Sequence, residues 1–309
     1  MTPLLVTPGD PRGIGPEVTA AALATFRERP VVVVGDEAAV RRWGLPDRIR
    51  VVDPGDDDEP VEVAALRYAV EACLSGRGAA VVTGPIHKAR LAARGFPHAG
   101  HTGFLAALSG VSDPVMAFVG GRVRVSLVTV HIPLQAVSAA LTIAAVAHTI
   151  RTTAAALRSQ LGLPTPRLVV CGLNPHAGDA GLLGSEDADV VAPAVAIAQG
   201  EGLAARGPVS AETAFADALA GRADAVVAMY HDQGLAPLKA LQAALGGPDR
   251  SVNWTLGLPI LRCGVDHGTA DDIAGRGVAD PSSMRAALAF AARLSAASAP
   301  APTTPGSAR

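Results

Sequence analysis

The chain has 309 residues, 49% of them apolar and only 3% aromatic, so one large or two intertwined domains must be built on Ala, Val and Leu. A net charge of −2 excludes a nucleic-acid or membrane surface built on bulk positive charge, and no apolar run reaches the roughly 18–20 residues of a membrane span. The first residues, MTPLLVTPGDPRG, lack the basic start and long apolar stretch of a signal peptide. Cys73, Cys171 and Cys263, without CxxC spacing, fit a reducing cytoplasm better than a disulfide framework.

Short β-branched runs alternate with Ala-rich helical stretches. The pattern predicts strands at Leu4–Thr7, Val31–Val34, Ala79–Thr83, Val123–Val130, Leu168–Gly172 and Ala225–Met229. Helices are predicted over Pro16–Thr25, Val61–Leu74, Thr142–Leu161, Ala188–Gln199 and Ser282–Leu294. Continuous apolar strands between amphipathic helices indicate parallel α/β layers. The acidic run Asp56–Glu59 reads as a solvated loop, and the Pro/Ser/Ala-rich tail 295–309 as disordered.

Ligands of open α/β sheets bind beyond the carboxyl ends of strands, so the residues after each strand carry the functional information. They are PGDPRGIGPE after Thr7, GPIHK after Thr83, His131-Ile-Pro after Val130, LNPHAG after Gly172 and YHDQG after Met229. His131, His176 and His231 each follow a separate strand. Three neutral imidazoles converging on one cleft would suit a borderline divalent ion such as zinc, with a position left open for a substrate oxygen. Read singly, each is an ordinary hydrogen-bonded histidine.

The loop Pro8–Glu17 is neither GxGxxG nor GxxxxGK[ST], so it is either a tight strand-to-helix turn or a close approach to an anionic ligand. Gly100-His101-Thr102-Gly103 opens a predicted helix. It could hold a phosphate through amides, hydroxyl and imidazole, or Thr102 could simply cap the helix. Lys239, Asn253 and Arg262 lie in or beside apolar stretches, where an anion partner competes with plain solvation. Lys occurs only at 88 and 239 and Asn only at 174 and 253, and all four fall inside these motifs. In a chain so depleted in both, the survivors mark positions where Arg or Asp is a poor substitute. The polar, Gly-rich segment Asp266–Gly277 is too long for a plain turn.

The first and last of these segments resemble the β-hydroxyacid oxidative decarboxylases, whose corresponding stretches read PGDGIGPE and HGSAPDIAG. That resemblance implies an α/β fold of two α/β/α domains with a cleft between them, isocitrate/isopropylmalate dehydrogenase-like and not Rossmann. Its boundaries would fall at 1–125 plus 255–294 and at 126–254. GHT at 100–102, TVHIPL at 129–134, LNPHAG at 173–178, YHDQG at 230–234, NWTLGLP at 253–259 and VDHGTA at 265–270 are similar to the 4-hydroxythreonine-4-phosphate dehydrogenase family.

The family resemblance implies His131, His176 and His231 as ligands of one divalent metal per subunit. Zinc is the first choice, magnesium or cobalt the alternatives, and the site lies at a homodimer interface. It implies His101, Thr102, Lys239, Asn253 and Arg262 as substrate contacts, and Gly13, His267, Gly268, Thr269 and Asp272 as contacts to NAD or NADP. The substrate is a small phosphorylated hydroxy acid, oxidised at its C3 hydroxyl and then decarboxylated. Lys239 and Asp232 are both candidates for the base. The chain departs from the family at Gly103 (usually Glu), His87 (usually Asn), Pro8 and Arg12 (usually Met and Ala) and Cys263-Gly264 (usually Thr-Ser). These leave open a phosphorylated threonate-type acid or a carboxylated cyclic dihydrodiol. A phosphate acyltransferase, of similar fold, would need neither the histidines nor the HGTADDIAG segment.

Overall fold

Four-residue runs such as Leu4–Thr7 and the all-valine Val31–Val34 are buried almost throughout, the signature of strands covered on both faces. The computed structural model describes residues 1–55, 59–98, 100–245 and 251–297. Its first half contains β1 (Leu4–Thr7), α1 (Gly15–Thr25), β2 (Val31–Val34), α2 (Glu37–Arg41), β3 (Arg50–Val52), α3 (Val61–Leu74), β4 (Ala80–Thr83), α4 (Lys88–Ala93) and α5 (His101–Ser109). A hairpin follows, β5 (Val115–Gly120) and β6 (Val123–Leu127), then α6 (Val137–Ala140), α7 (Ile143–Leu161), β7 (Leu168–Cys171), α8 (Ala192–Gly200), β8 (Ala205–Val209), α9 (Ala211–Leu219), β9 (Ala225–Ala228) and α10 (His231–Leu245). The chain then returns to the first half through β10 (Val252–Leu256), β11 (Arg262–Gly264) and α11 (Ser282–Ala297).

All these strands join one mixed sheet in the order β3-β2-β1-β4-β11-β10-β5-β6-β9-β7-β8. The flanks are parallel, but β10 runs antiparallel to both β11 and β5, and β5 antiparallel to β6. The expected α/β, non-Rossmann class is therefore found, with one correction. The strand ends do not share a single edge. Because of the reversals at β10 and β5, the strands β6, β9 and β7 point opposite to β1, β4 and β11. The loops carrying His131, His176 and His231 thus leave one edge together, while the loops after β1 and β4 leave the other.

The central register sorts side chains by face. Asn253 sits opposite Gly264, Trp254 opposite Cys263 and Thr255 opposite Arg262. Alternation puts Asn253, Thr255 and Arg262 on one face, and Trp254 and Cys263 on the other. On that second face Trp254 is buried, meets Phe290 edge-on at 5.4 Å and donates its indole N–H to Gln160 Oε1 at 2.9 Å. Fully burying an aromatic of this kind contributes about 1.5–3 kcal/mol, which anchors α7 and α11 to the sheet. The opposite face is the one left for polar chemistry.

Several expected boundaries shift. The strand expected over Val123–Val130 ends at Leu127, and Ala188–Gln199 begins as a wider turn over Asp187–Val191 before α8. Helix α11 runs on to Ala297 with Ser295 buried, past the expected Leu294 and into the segment read as a disordered tail. The remainder of that tail, 298–309, and residues 56–58 of the acidic run lie outside the described residues. Glu59, the last of the run, pairs with Arg67 at 2.7 Å. Among the described residues no single helix is long and apolar enough to cross a membrane.

Candidate active site

A cleft of about 1010 Å³ opens over the polar face of the central strands. Its walls include His101 and Thr102 from the start of α5, Asn253 and Arg262 from the sheet, and His131 from the loop after β6. Four residues expected to touch substrate thus gather from two separate parts of the chain, beside one expected metal ligand.

Arg262 is the centre of this wall. It is 3% exposed, and its guanidinium donates to Asn253 Oδ1 at 2.6 Å, Thr255 Oγ1 at 2.9 Å and Thr83 Oγ1 at 2.6 Å. Its Nε has no partner among the described residues. Burial lowers its pKa to about 10, so it stays charged at neutral pH. Among the described residues no carboxylate pairs with it, and a buried cation held by neutral acceptors favours an anionic ligand.

His101 begins α5, and Gly100 is the residue before the helix. Thr102 is not a cap, contrary to the simpler reading, because the helix starts one residue before it and receives no side-chain cap bond. The amides of the first turn are left for a ligand. The His101 Nε2 atom is buried without a partner among the described residues. Burial, with Arg262 and Lys88 adding to it, holds this imidazole well below its usual 6.5. A histidine kept neutral by the fold binds fewer protons folded than unfolded. Its contribution to stability is full above pH 6.5 and is lost as the pH falls below that value. Denaturation midpoints measured from about pH 7.5 to about pH 5.5 are expected to fall more steeply for the wild type than for His101→Gln. Parallel slopes would contradict this assignment.

His131 and His231 face one another with ring centroids 5.6 Å apart. Burial chiefly, then Lys88 and His231, lowers the His131 pKa, which keeps its ring in the neutral form that ligates metals. Asp232 takes the Nδ1 side of His231 at 2.7 Å, so it orients this histidine and leaves Nε2 free. Gln233 fixes the same turn: its Nε2 donates to Gly172 O at 2.7 Å and its Oε1 accepts from Met229 N at 2.7 Å. The donor chemistry of the pair fits a divalent ion.

His176 does not join this pair: among the described residues no group of three potential ligands forms. It is exposed on a turn in which His176, Ala177, Gly178, Asp179 and Ala180 all have positive φ, from 44° to 83°. Four of these residues are not glycine, and a left-handed stretch of this kind costs about 1–3 kcal/mol per residue unless its surroundings enforce it. Buried Asp187 does so, accepting from Leu173 N at 2.7 Å and Asn174 N at 3.0 Å, while Asn174 Nδ2 donates to Glu186 Oε2 at 2.8 Å.

Lys239 is also placed differently from expectation. It is about half exposed, off the cleft wall, and its ammonium is paired with Asp266. The cleft lysine is Lys88, at the start of α4. The sequence marked it by its rarity and by its place in GPIHK after the strand ending at Thr83, without assigning it a role.

The glycine loop and the segment Asp266–Gly277 do meet. Ile14 N donates to Thr269 O at 3.0 Å. A Cβ on Gly13 would lie 2.8 Å from Thr269 Cβ, so only glycine fits there. Arg90 ties the two together, donating to buried Asp10 at 2.7 Å and gripping Asp271 with both guanidinium nitrogens. That grip lowers the Asp271 pKa to about 2. His267 Nε2 is buried without a partner among the described residues, Thr269 is buried, and Gly268 and Asp272 are exposed. The loop is thus a rigid platform with an orphaned donor or acceptor, which fits a bound cofactor.

Fold and site together define a mixed α/β protein outside the Rossmann class, with a cationic cleft flanked by paired histidines. The family profile of pyridoxal phosphate biosynthetic protein PdxA matches residues 29–291. The chain belongs to this 4-hydroxythreonine-4-phosphate dehydrogenase family. It is 41% identical over 330 aligned positions to 4-hydroxythreonine-4-phosphate dehydrogenase of Xanthomonas oryzae pv. oryzae, covering 95% of this chain and 98% of the relative. The crystal structure of the Klebsiella pneumoniae 4-hydroxythreonine-4-phosphate dehydrogenase superposes with a TM-score of 0.86 at 34% identity, covering 96% of this chain and all of that one. A terephthalate 1,2-cis-dihydrodiol dehydrogenase from Burkholderia xenovorans is similar at a TM-score of 0.68 and 29% identity, covering 94% and 98%.

Proposed function

We propose that the chain is a cytoplasmic, metal-dependent dehydrogenase that oxidises 4-hydroxythreonine 4-phosphate at C3 with NAD or NADP, the product then losing carbon dioxide, in pyridoxal phosphate biosynthesis. The observation that carries this reading is the convergence of His101, Thr102, Asn253 and buried Arg262 on one cleft beside the His131–His231 pair. Family membership and the relatives' names support the same reaction. Three free cysteines fit a reducing compartment.

His131 and His231 would hold the metal, zinc being the first choice and magnesium or cobalt the alternatives. When bound, such an ion lowers the pKa of a coordinated hydroxyl and stabilises negative charge that develops on oxygen. Arg262 supplies a charge-assisted hydrogen bond to an anionic group of the substrate, and Asn253 sets the orientation of its guanidinium. The uncapped amides at the start of α5 favour the phosphate. Gly13, His267, Gly268, Thr269 and Asp272 remain the proposed nicotinamide contacts. Of the two candidate bases, Asp232 is committed to His231 and Lys239 to Asp266, so Lys239 becomes available only if substrate displaces that carboxylate.

A homodimer completes the metal site, with the partner subunit's His176 as third ligand. Exposed Ile132, Leu134, Leu182 and Leu183 support this: they flank His131 and His176 on two segments joined by the 2.7 Å hydrogen bond from Ser138 Oγ to Glu186. Large exposed apolar side chains grouped beside functional residues are typical of an interface. A phosphorylated threonate-type acid is the second reading, favoured by Gly103. Position 103 carries no side chain, so it offers no carboxylate to meet an ammonium group.

Chelation followed by reconstitution tests the proposal. Reduced nicotinamide should form from 4-hydroxythreonine 4-phosphate, cease after removal of metal and return with added zinc, magnesium or cobalt. Undiminished turnover by metal-free enzyme would contradict it.

A further inference from the structure

We propose that Lys88 is a phosphate-contacting residue of the cleft, its ammonium acting with the free amides at the start of α5. The inference rests on the dehydrogenase reading and deepens it. The chain has two lysines. Asp266 neutralises Lys239, whereas Lys88 lines the cleft and pairs with no carboxylate among the described residues. Asp113, an acidic residue on the lining, accepts from Ser112 Oγ at 2.8 Å instead.

The local structure places Lys88 deliberately. Helix α4 begins at Lys88, and the His87 ring caps it by accepting from Arg90 N at 3.1 Å. Lys88 is an exposed residue on the cleft lining, and a cation at the first position of a helix opposes the helix dipole, so an anion bound beside it would be favoured. Its side chain reaches back over Gly100. A Cβ on Gly100 would lie 3.2 Å from Lys88 Cε and 3.9 Å from Nζ. The ammonium therefore hangs over the residue that precedes α5.

Three further groups line the same cleft. The first turn of α5 has no side-chain cap. His101 Nε2 is buried and unpartnered, and so is Arg262 Nε on a residue only 3% exposed. A compact ammonium with helix-terminal amides and two buried ring or guanidinium nitrogens suits a phosphate dianion better than a single carboxylate. Position 100 has a φ of +157°, a conformation that L side chains rarely adopt, which accounts for the glycine there.

Lys88→Met keeps the aliphatic stem and removes the charge, and Lys88→Gln gives the same reading should the first variant not fold. The measurements are kcat/KM for 4-hydroxythreonine 4-phosphate and for unphosphorylated 4-hydroxythreonine, with the inhibition constant for inorganic phosphate, on metal-reconstituted enzyme. Loss of one charge-assisted hydrogen bond should lower the phosphorylated-to-unphosphorylated ratio by at least about tenfold and weaken phosphate inhibition similarly, with Lys88→Arg intermediate. An unchanged ratio in a variant of a wild type that prefers the phosphorylated compound would overturn the role of Lys88 alone. A fall confined to kcat, with phosphate inhibition unaltered, would also overturn it, pointing to proton transfer instead. A wild type with no preference for the phosphorylated compound would overturn the phosphate reading and this inference with it.

Discussion

Arg262→Ala is expected to lower kcat/KM by at least about tenfold, because one charge-assisted bond to substrate contributes about 1.5–3 kcal/mol and 1.4 kcal/mol is a factor of ten. The loss should be larger than for an exposed cation. Arg262 is 3% exposed and already charged in the free cleft, so no ordering or desolvation of the side chain remains to be met on binding. The same burial means a second effect. Asn253 Oδ1, Thr255 Oγ1 and Thr83 Oγ1 would each lose a donor, at about 1–3 kcal/mol for every acceptor left buried and unpaired. Urea denaturation should therefore show a clear drop in midpoint for the alanine variant. Arg262→Lys keeps the charge but cannot reach three acceptors at once, so it should recover binding only in part. Unchanged kcat/KM in folded Arg262→Ala would show that the guanidinium serves the sheet and not the substrate.

His176→Ala is expected to abolish activity while leaving the protomer folded, since the side chain is exposed and packs into no core. His231→Ala should be equally inactive. The two inactive proteins, mixed and allowed to exchange subunits, should regain about a quarter of wild-type activity. Half of the dimers would be mixed, and each mixed dimer would have one site of two intact in an isologous pair. No recovery, with exchange shown independently, would mean that all ligands come from one chain. That outcome would require the left-handed turn at His176 to move towards His131 and His231, because the two lie apart within a protomer.

The features legible in the sequence were those that a run of neighbours determines. Buried valine runs announced β1, β2, β4, β7 and β9, and Pro16 marked the first turn of α1. The histidines after β6, β7 and β9 were read as converging on one cleft; their loops leave one edge of the sheet, but within the protomer only His131 and His231 come together. What stayed hidden depended on pairing across long distances. Nothing in VNWTL or RCG says that β10 reverses direction, yet that reversal brings Asn253 and Arg262 to one face and splits the strand ends between two edges. The fates of the two lysines were likewise set by the fold: Lys239 pairs with distant Asp266, whereas Lys88 lines the cleft. Composition singled out both but could not say which one would be free. The Asp10–Arg90–Asp271 bridge spans three segments, and only its ends lay in motifs.

The substrate assignment is tested most directly by comparing kcat/KM for 4-hydroxythreonine 4-phosphate, phosphothreonate and unphosphorylated 4-hydroxythreonine, with NAD and with NADP, on metal-reconstituted wild-type enzyme. The expected result is that 4-hydroxythreonine 4-phosphate is the best substrate and that the unphosphorylated compound falls at least about tenfold below it, as a site built around anion donors requires. Equal use of the unphosphorylated compound would contradict the phosphate site, and a preference for phosphothreonate of about tenfold or more would contradict the amino-acid substrate while leaving the dehydrogenase standing.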